Sequence, residues 1–215
     1  MRATIDVLND RGYNGLSIKE VAARAGLSRG ALAHHYPSKA ELVVAATAAV
    51  YDEALARGQR MALRPDAERD PVGHFIADCT AVYFEWPFIA ALEIIMVART
   101  DTDLMTRIQP VMRSYRRDTN ATWLAVFARI GLPAPDAERI LNLTLNLVRG
   151  IGVNRLWQAD QSLNRKLLKD WAQRMRAEVA TLTAASAPRA GRTSRSRSAA
   201  ATPDRAKREA SNPAR

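Results

Sequence analysis

Ser17-Ile-Lys-Glu-Val-Ala-Ala-Arg-Ala-Gly-Leu-Ser-Arg-Gly-Ala-Leu-Ala-His-His-Tyr36 carries the punctuation of two short helices joined by a tight turn. Ser17 and Glu20 form a capping box that opens the first helix, Gly26 breaks it, and Ser28 caps the second. A helix-turn-helix needs a small residue where its helices cross and a glycine free to take positive φ in the turn. It also needs apolar residues that seat the second helix on the first. Ala22 fills the crossing, Gly26 the turn and Leu32 the seat, with Val21, Ala25 and Leu27 in the other inward positions. The second helix, Ser28 to His35, then turns Ser28, Arg29, Ala31, His34 and His35 outward. Such a face suits a major groove: Arg29 reaches a guanine edge or a phosphate, Ser28 a phosphate, and Ala31 a thymine methyl. Lys39, at the start of the following helix, sits where a backbone contact is expected. A helical hairpin inside an ordinary bundle has the same spacing, so the pattern alone leaves that reading open.

The flanking chain reads as helix throughout. A helix over Met1 to about Arg11 ends at Gly12, and Ser38 with Glu41 makes a second capping box that opens a fourth helix. Arg57 to Pro71, with Gly58, Pro65 and Pro71, reads as a connection. Beyond it lie apolar stretches of helical spacing at Val72–Trp86, Pro87–Thr100, Asp103–Ile130, Pro135–Gln158 and Ser162–Leu182. Ile140 to Leu147 alternates like a strand, but Leu141, Leu145 and Val148 also fit one helical face, and a lone strand would leave its backbone unpaired. The expectation is an all-α chain with no internal repeat.

Gly12-Tyr13, Ser17-Ile-Lys-Glu-Val-Ala22, Ala25-Gly-Leu-Ser28, Gly30-Ala-Leu32, His35-Tyr-Pro-Ser-Lys39 and Glu41-Leu42 together resemble the DNA-binding domain of TetR-type transcriptional regulators, in order and without gaps. The resemblance implies a DNA-binding domain over 1–57, with Ser17 opening the second helix beside the DNA backbone. The residues from Ser28 onward (Arg29, Gly30, Ala31, Ala33, His34, His35, Tyr36) would form the recognition helix, and Lys39 would contact phosphate. The family often has a tyrosine in place of Ala33 and a phenylalanine in place of Tyr36, so one phosphate contact is either missing here or supplied by His34. Family members also begin their first helix several residues earlier than Met1 does here.

The same resemblance implies that 58–183 is a helical ligand-binding and dimerisation domain whose last two helices pair with their copies. Leu147-Val-Arg-Gly-Ile-Gly152, Asp160 and Leu167-Leu-Lys-Asp-Trp171 are similar in layout to those helices. Leu156, Leu163, Leu167, Leu168, Trp171, Met175, Val179 and Leu182 form an apolar stripe long enough to need a cover, although internal core would explain it too. The expected partners are double-stranded DNA with a palindromic operator, a second copy in a homodimer, and a small-molecule inducer that releases a repressor. For the inducer site, Phe75, Cys79, Tyr83, Trp86, Met96, Met112, Trp123 and Phe127 are the apolar candidates, each of which could equally be plain core. Glu93 is the charged candidate for the same site, since a carboxylate among Ala91, Leu92, Ile94 and Ile95 needs a cationic partner, such as an arginine elsewhere in the chain, or a ligand; Asn142 and Asn146 share a helical face and could bond a ligand, the dimer mate or each other.

Net charge is +10, and its distribution is uneven. Residues 184–215 contain no Val, Ile, Leu, Met or aromatic residue and hold eight basic residues against Asp204 and Glu209. A segment of this composition cannot offset its ordering entropy and reads as a disordered basic tail. Such a tail either steers the chain toward nucleic acid or only keeps it soluble, and a non-specific or architectural binder relying on it is the alternative function.

Enzyme readings find little support. One cysteine, Cys79, excludes an internal disulfide and a multi-thiolate metal site, and His34 and His35 are adjacent, so they cannot chelate one ion as an i,i+4 pair. No phosphate-cradling glycine loop or nucleophile elbow is present, so no catalytic residue, cofactor or metal is expected. Lacking an apolar run of about 18 residues, the chain is expected in the cytoplasm with no membrane partner.

Overall fold

The computed structural model describes residues 1–84 and 88–186. Polar side chains open most helices at the places the sequence marks. Ser17 Oγ accepts from Glu20 N at 3.2 Å, Ser28 Oγ from Ala31 N at 3.1 Å and Ser38 Oγ from Glu41 N at 3.1 Å. Asp70 and Asp101 do the same for Gly73 N and Leu104 N. The helices are α1 (Arg2–Gly15), α2 (Ile18–Arg24), α3 (Arg29–His35), α4 (Lys39–Ala62) and α5 (Pro71–Tyr83). They continue as α6 (Phe88–Ala98), α7 (Thr102–Arg129), α8 (Ala134–Asn154) and α9 (Ser162–Ser186). Among the described residues there is no strand, and Ile140 to Leu147 lies within α8.

Two clusters of buried side chains organise the molecule. The first joins Ile5, Val7 and Leu8 of α1, Val21 and Ala22 of α2, Leu32 of α3 and Leu42, Val43 and Ala46 of α4. It also takes in Ala90, Ile94 and Ala98 of α6 and Leu104 and Ile108 of α7, so the N-terminal helices rest directly on the rest of the chain. The second is built around Phe75, Trp123, Phe127, Ile140, Leu141 and Val148, with Met175 and Val179 of α9.

Several boundaries differ from those expected. The connection is shorter than Arg57 to Pro71: α4 runs on to Ala62, because Gly58 lies flush against Asp78 of α5, where a Cβ would come within 2.7 Å of the carboxylate. The division at 57/58 therefore falls inside one continuous helix. The first helix does not stop at Gly12. That residue turns the chain at φ +67° and ψ 176°, and one further helical turn follows to Gly15. At the other end, Ala184, Ala185 and Ser186 of the expected tail belong to α9, and residues 187–215 lie outside the described residues.

Candidate nucleic-acid interface and cavity

Gly26 takes φ +67°, and its N–H bonds to Ala23 O at 3.2 Å while that of Leu27 bonds to Ala22 O at 2.9 Å. This Schellman pattern closes α2 with the left-handed residue that glycine tolerates best, and it redirects the chain into α3. Ala22 (1% exposed) and Leu32 (7% exposed) hold the two helices together. Ala25 and Leu27 are not inward as expected. Both are exposed, Leu27 by 52%, because the turn that satisfies the carbonyls of α2 swings them to the surface.

Along α3, Arg29, Gly30, Ala31, His34 and His35 are exposed, as are the capping serines Ser17 and Ser28, whereas Ala33 and Tyr36 are half-buried. The rings of His34 and His35 meet edge to face with centroids 5.6 Å apart. Lys39 is half-buried. Its Nζ sits 4.3 Å from the centroid of the Tyr13 ring and donates to Asn14 O at 3.4 Å. Burial lowers the pKa of this ammonium, and the Glu93 carboxylate opposes that shift.

Glu93, expected at the inducer site, lines neither of the two cavities described below. Its Oε1 accepts from Tyr13 N at 2.6 Å, just past the kink at Gly12, where a Cβ would collide with the same carboxylate. The partner that the sequence demanded for Glu93 is thus a backbone amide eighty residues away.

Two adjoining cavities lie among α4 to α8. One, of about 590 Å³, is walled by α4, α5, α7 and α8 and by Ile95 of α6, with Tyr51, Phe75, Tyr83, Met112, Arg116 and Arg149 among its lining. The other, of about 400 Å³, reaches α6 at Ala91, Leu92 and Ile95 and shares Tyr51, Val82, Tyr83, Ile95, Met112 and Arg149 with the first. Of the sequence candidates, Phe75 and Cys79 line the larger cavity, and Tyr83 and Met112 line both. Trp123 and Phe127 line neither, since both are 0% exposed in the second core; Met96 is 56% exposed on the surface; Trp86 lies outside the described residues.

Sequence reasoning missed the polar parts of this wall. Asp78 accepts from Trp123 Nε1 at 2.9 Å and faces Arg57 at 3.8 Å, and burial pushes its pKa above the usual carboxylate value despite both partners. Tyr51 stacks on Tyr115 with centroids 4.5 Å apart. Asn142 bonds to Arg116 and to Glu138 O, and Asn146 is exposed. The one available signal was an aspartate inside the apolar run Phe75 to Cys79. Among the described residues no three of His, Cys, Asp and Glu converge to hold a metal ion, and no single helix is long and apolar enough to cross a membrane.

The expected stripe on α8 and α9 divides in two. Met175 and Val179 are core, and Leu168, Trp171 and Leu182 are half-buried, with Trp171 Nε1 donating to Thr144 Oγ1 at 2.9 Å. Leu156, Leu163 and Leu167 are exposed, as are Leu143, Val153 and Trp157, which lie outside the expected stripe.

Residues 1–46 match the family model for bacterial regulatory proteins of the tetR family. Over 159 residues, covering 74% of this chain and 78% of its relative, the sequence is 35% identical to the HTH-type transcriptional regulator CymR of Pseudomonas putida. The chain belongs to the TetR family. It is accordingly a DNA-binding transcriptional regulator. The fold is similar to that of a provisionally assigned transcriptional regulator of Pseudomonas aeruginosa PAO1, with a TM-score of 0.62 at 22% identity over 85% of this chain and 88% of the other. It is also similar to the TetR family regulator PfmR of Thermus thermophilus, with a TM-score of 0.52 at 16% identity over 79% and 92%.

Proposed function

We propose that this TetR-family regulator is a repressor: a homodimer that holds a palindromic operator and lets go when a small molecule enters the cavity. In this reading residues 1–57 bind DNA, residues 58–183 bind ligand and dimerise, and α4 belongs to both. Two copies of α3 enter successive major grooves, with Arg29 at a base edge, Ser17, Ser28, His34 and Lys39 toward phosphates, and Ala31 against a thymine methyl. The exposed leucines of α8 and α9 meet their copies about a two-fold axis.

The observation that carries the release step is the Glu93–Tyr13 bond. α6 lines a cavity with Leu92 and Ile95, and from the same turn grips the DNA-binding helices with Glu93. A ligand that displaces α6 pulls on Tyr13, which in turn seats Lys39. An effector of this kind works only by favouring the displaced arrangement over the bound one. The test begins with operators selected from a random DNA pool by the full chain. Arg29→Ala should weaken binding by about 1–3 kcal/mol in a base-dependent way, and Lys39→Ala should weaken it almost uniformly across sequences. Equal losses for both variants on random and selected DNA would overturn specific readout by α3.

A further inference from the structure

The larger cavity has an unbalanced wall. Arg116 and Arg149 both line it, and among the described residues neither guanidinium has a carboxylate within ion-pair distance. Arg116 is half-buried and bonds to the neutral amide of Asn142, while Arg149 Nη2 lies 3.3 Å from the Tyr83 hydroxyl and its guanidinium 5.5 Å from the Tyr83 ring centroid. Burial, and after it the nearby charge of Arg149, depress the pKa of Arg116, so a half-buried guanidinium and an exposed one place like charges on one wall.

The remaining titratable groups do not neutralise them. Burial pushes the Tyr51 hydroxyl up to about 12 and raises Tyr115 and the Cys79 thiol further, which keeps all three neutral. Asp78, the one carboxylate among the described lining residues, is already engaged by Trp123 and Arg57. Arg113 and Arg117, both exposed, add positive charge to the lining, Arg117 being paired with Asp118; Gln109, Thr119 and Asn120 are its neutral polar groups, and Phe75, Met105, Ile108, Met112 and Leu145 form its apolar part.

We propose that this cavity takes an organic anion with an apolar body, its charged end held between Arg116 and Arg149 and its body against Phe75 and the Tyr51–Tyr115 stack. A planar carboxylate matches the donor fork of a guanidinium, and pairing in a partly water-excluded site makes such bonds stronger than neutral ones. The inference deepens the effector reading above and rests on it for its regulatory meaning, though not for the binding itself.

Calorimetry on the full-length protein without DNA tests it, using 2-naphthoate against 2-naphthamide and decanoate against decanamide. At least one carboxylate should bind ten-fold or more tighter than its amide, and the pair that does so tells whether the body is aryl or alkyl. Arg116→Gln and Arg149→Gln should each cost that carboxylate ten-fold or more while leaving the amide unchanged, and Arg116→Lys should retain part of the gain if Arg116→Gln folds poorly. Equal binding of acid and amide, equal losses for both in the variants, or no binding by any of the four would overturn the proposal. Operator release is read separately: an acid that binds through Arg116 and Arg149 but leaves the operator complex intact refutes the effector reading and keeps the anion site.

Discussion

Replacing Gly12 by alanine probes the junction between α1 and α6 through two separable costs. At φ +67° and ψ 176° the backbone lies in a region almost confined to glycine, and forcing a Cβ there costs about 1–3 kcal/mol. The same Cβ would displace the Glu93 carboxylate and break its bond to Tyr13 N, a charge-assisted contact of about 1.5–3 kcal/mol. Together Gly12→Ala should destabilise the protein by about 2.5–6 kcal/mol, a large share of the 5–15 kcal/mol typical of a folded domain. In a Glu93→Ala background the collision is gone and the bond already lost, so Gly12→Ala should then cost only about 1–3 kcal/mol. The assay is urea unfolding followed by far-ultraviolet circular dichroism at one fixed protein concentration, because dimerisation would make the midpoint concentration-dependent. A Gly12→Ala cost that is the same in both backgrounds would refute the claim that Glu93 and the kink form one unit.

Other substitutions probe other parts of the chain. Ala22→Leu should overpack the α2–α3 crossing, costing about 1–3 kcal/mol of stability and abolishing operator binding in an anisotropy assay even where the fold survives. Leu163→Glu with Leu167→Glu should convert dimer to monomer in sedimentation while leaving far-ultraviolet circular dichroism unchanged, since both side chains are exposed. The Arg176 guanidinium holds the Asp70 carboxyl below its usual pKa, so the stability it adds is present above about pH 3.9 and disappears as pH falls through the lower, folded-state value. Asp70→Asn should remove that acid-sensitive increment, worth about 1 kcal/mol or less at this half-exposed site, and flatten the stability profile below pH 4.

What could be read in the sequence was local. The serine caps, the turn glycine and the small crossing residue act within a few positions of one another, so Ser17 to Lys39 declares its fold without help from the rest of the chain. Long-range contacts were hidden. Gly58 looks like a break in the sequence, yet it is where α4 meets Asp78, and Gly12 looks like a helix end although Glu93 captures the next amide and the helix resumes. The cavity was half visible for the same reason. Phe75 and Cys79 lie on the lining side of α5, but nothing near Trp123 or Phe127 in sequence reveals that α5 and α8 enclose them completely. Arg116 and Arg149 resemble ordinary surface arginines until α7 and α8 are laid side by side.

The unbroken course of α4 gives the molecule a lever arm. Its 24 residues span about 36 Å, with Lys39 at the end that follows α3 and Ala62 in the second core. A tilt of about 5° about Ala62 would carry Lys39 through about 3 Å, close to the roughly 3.4 Å rise between successive base pairs. If α3 reads DNA as proposed, a sub-ångström adjustment near the fulcrum would shift it by nearly one step of the double helix.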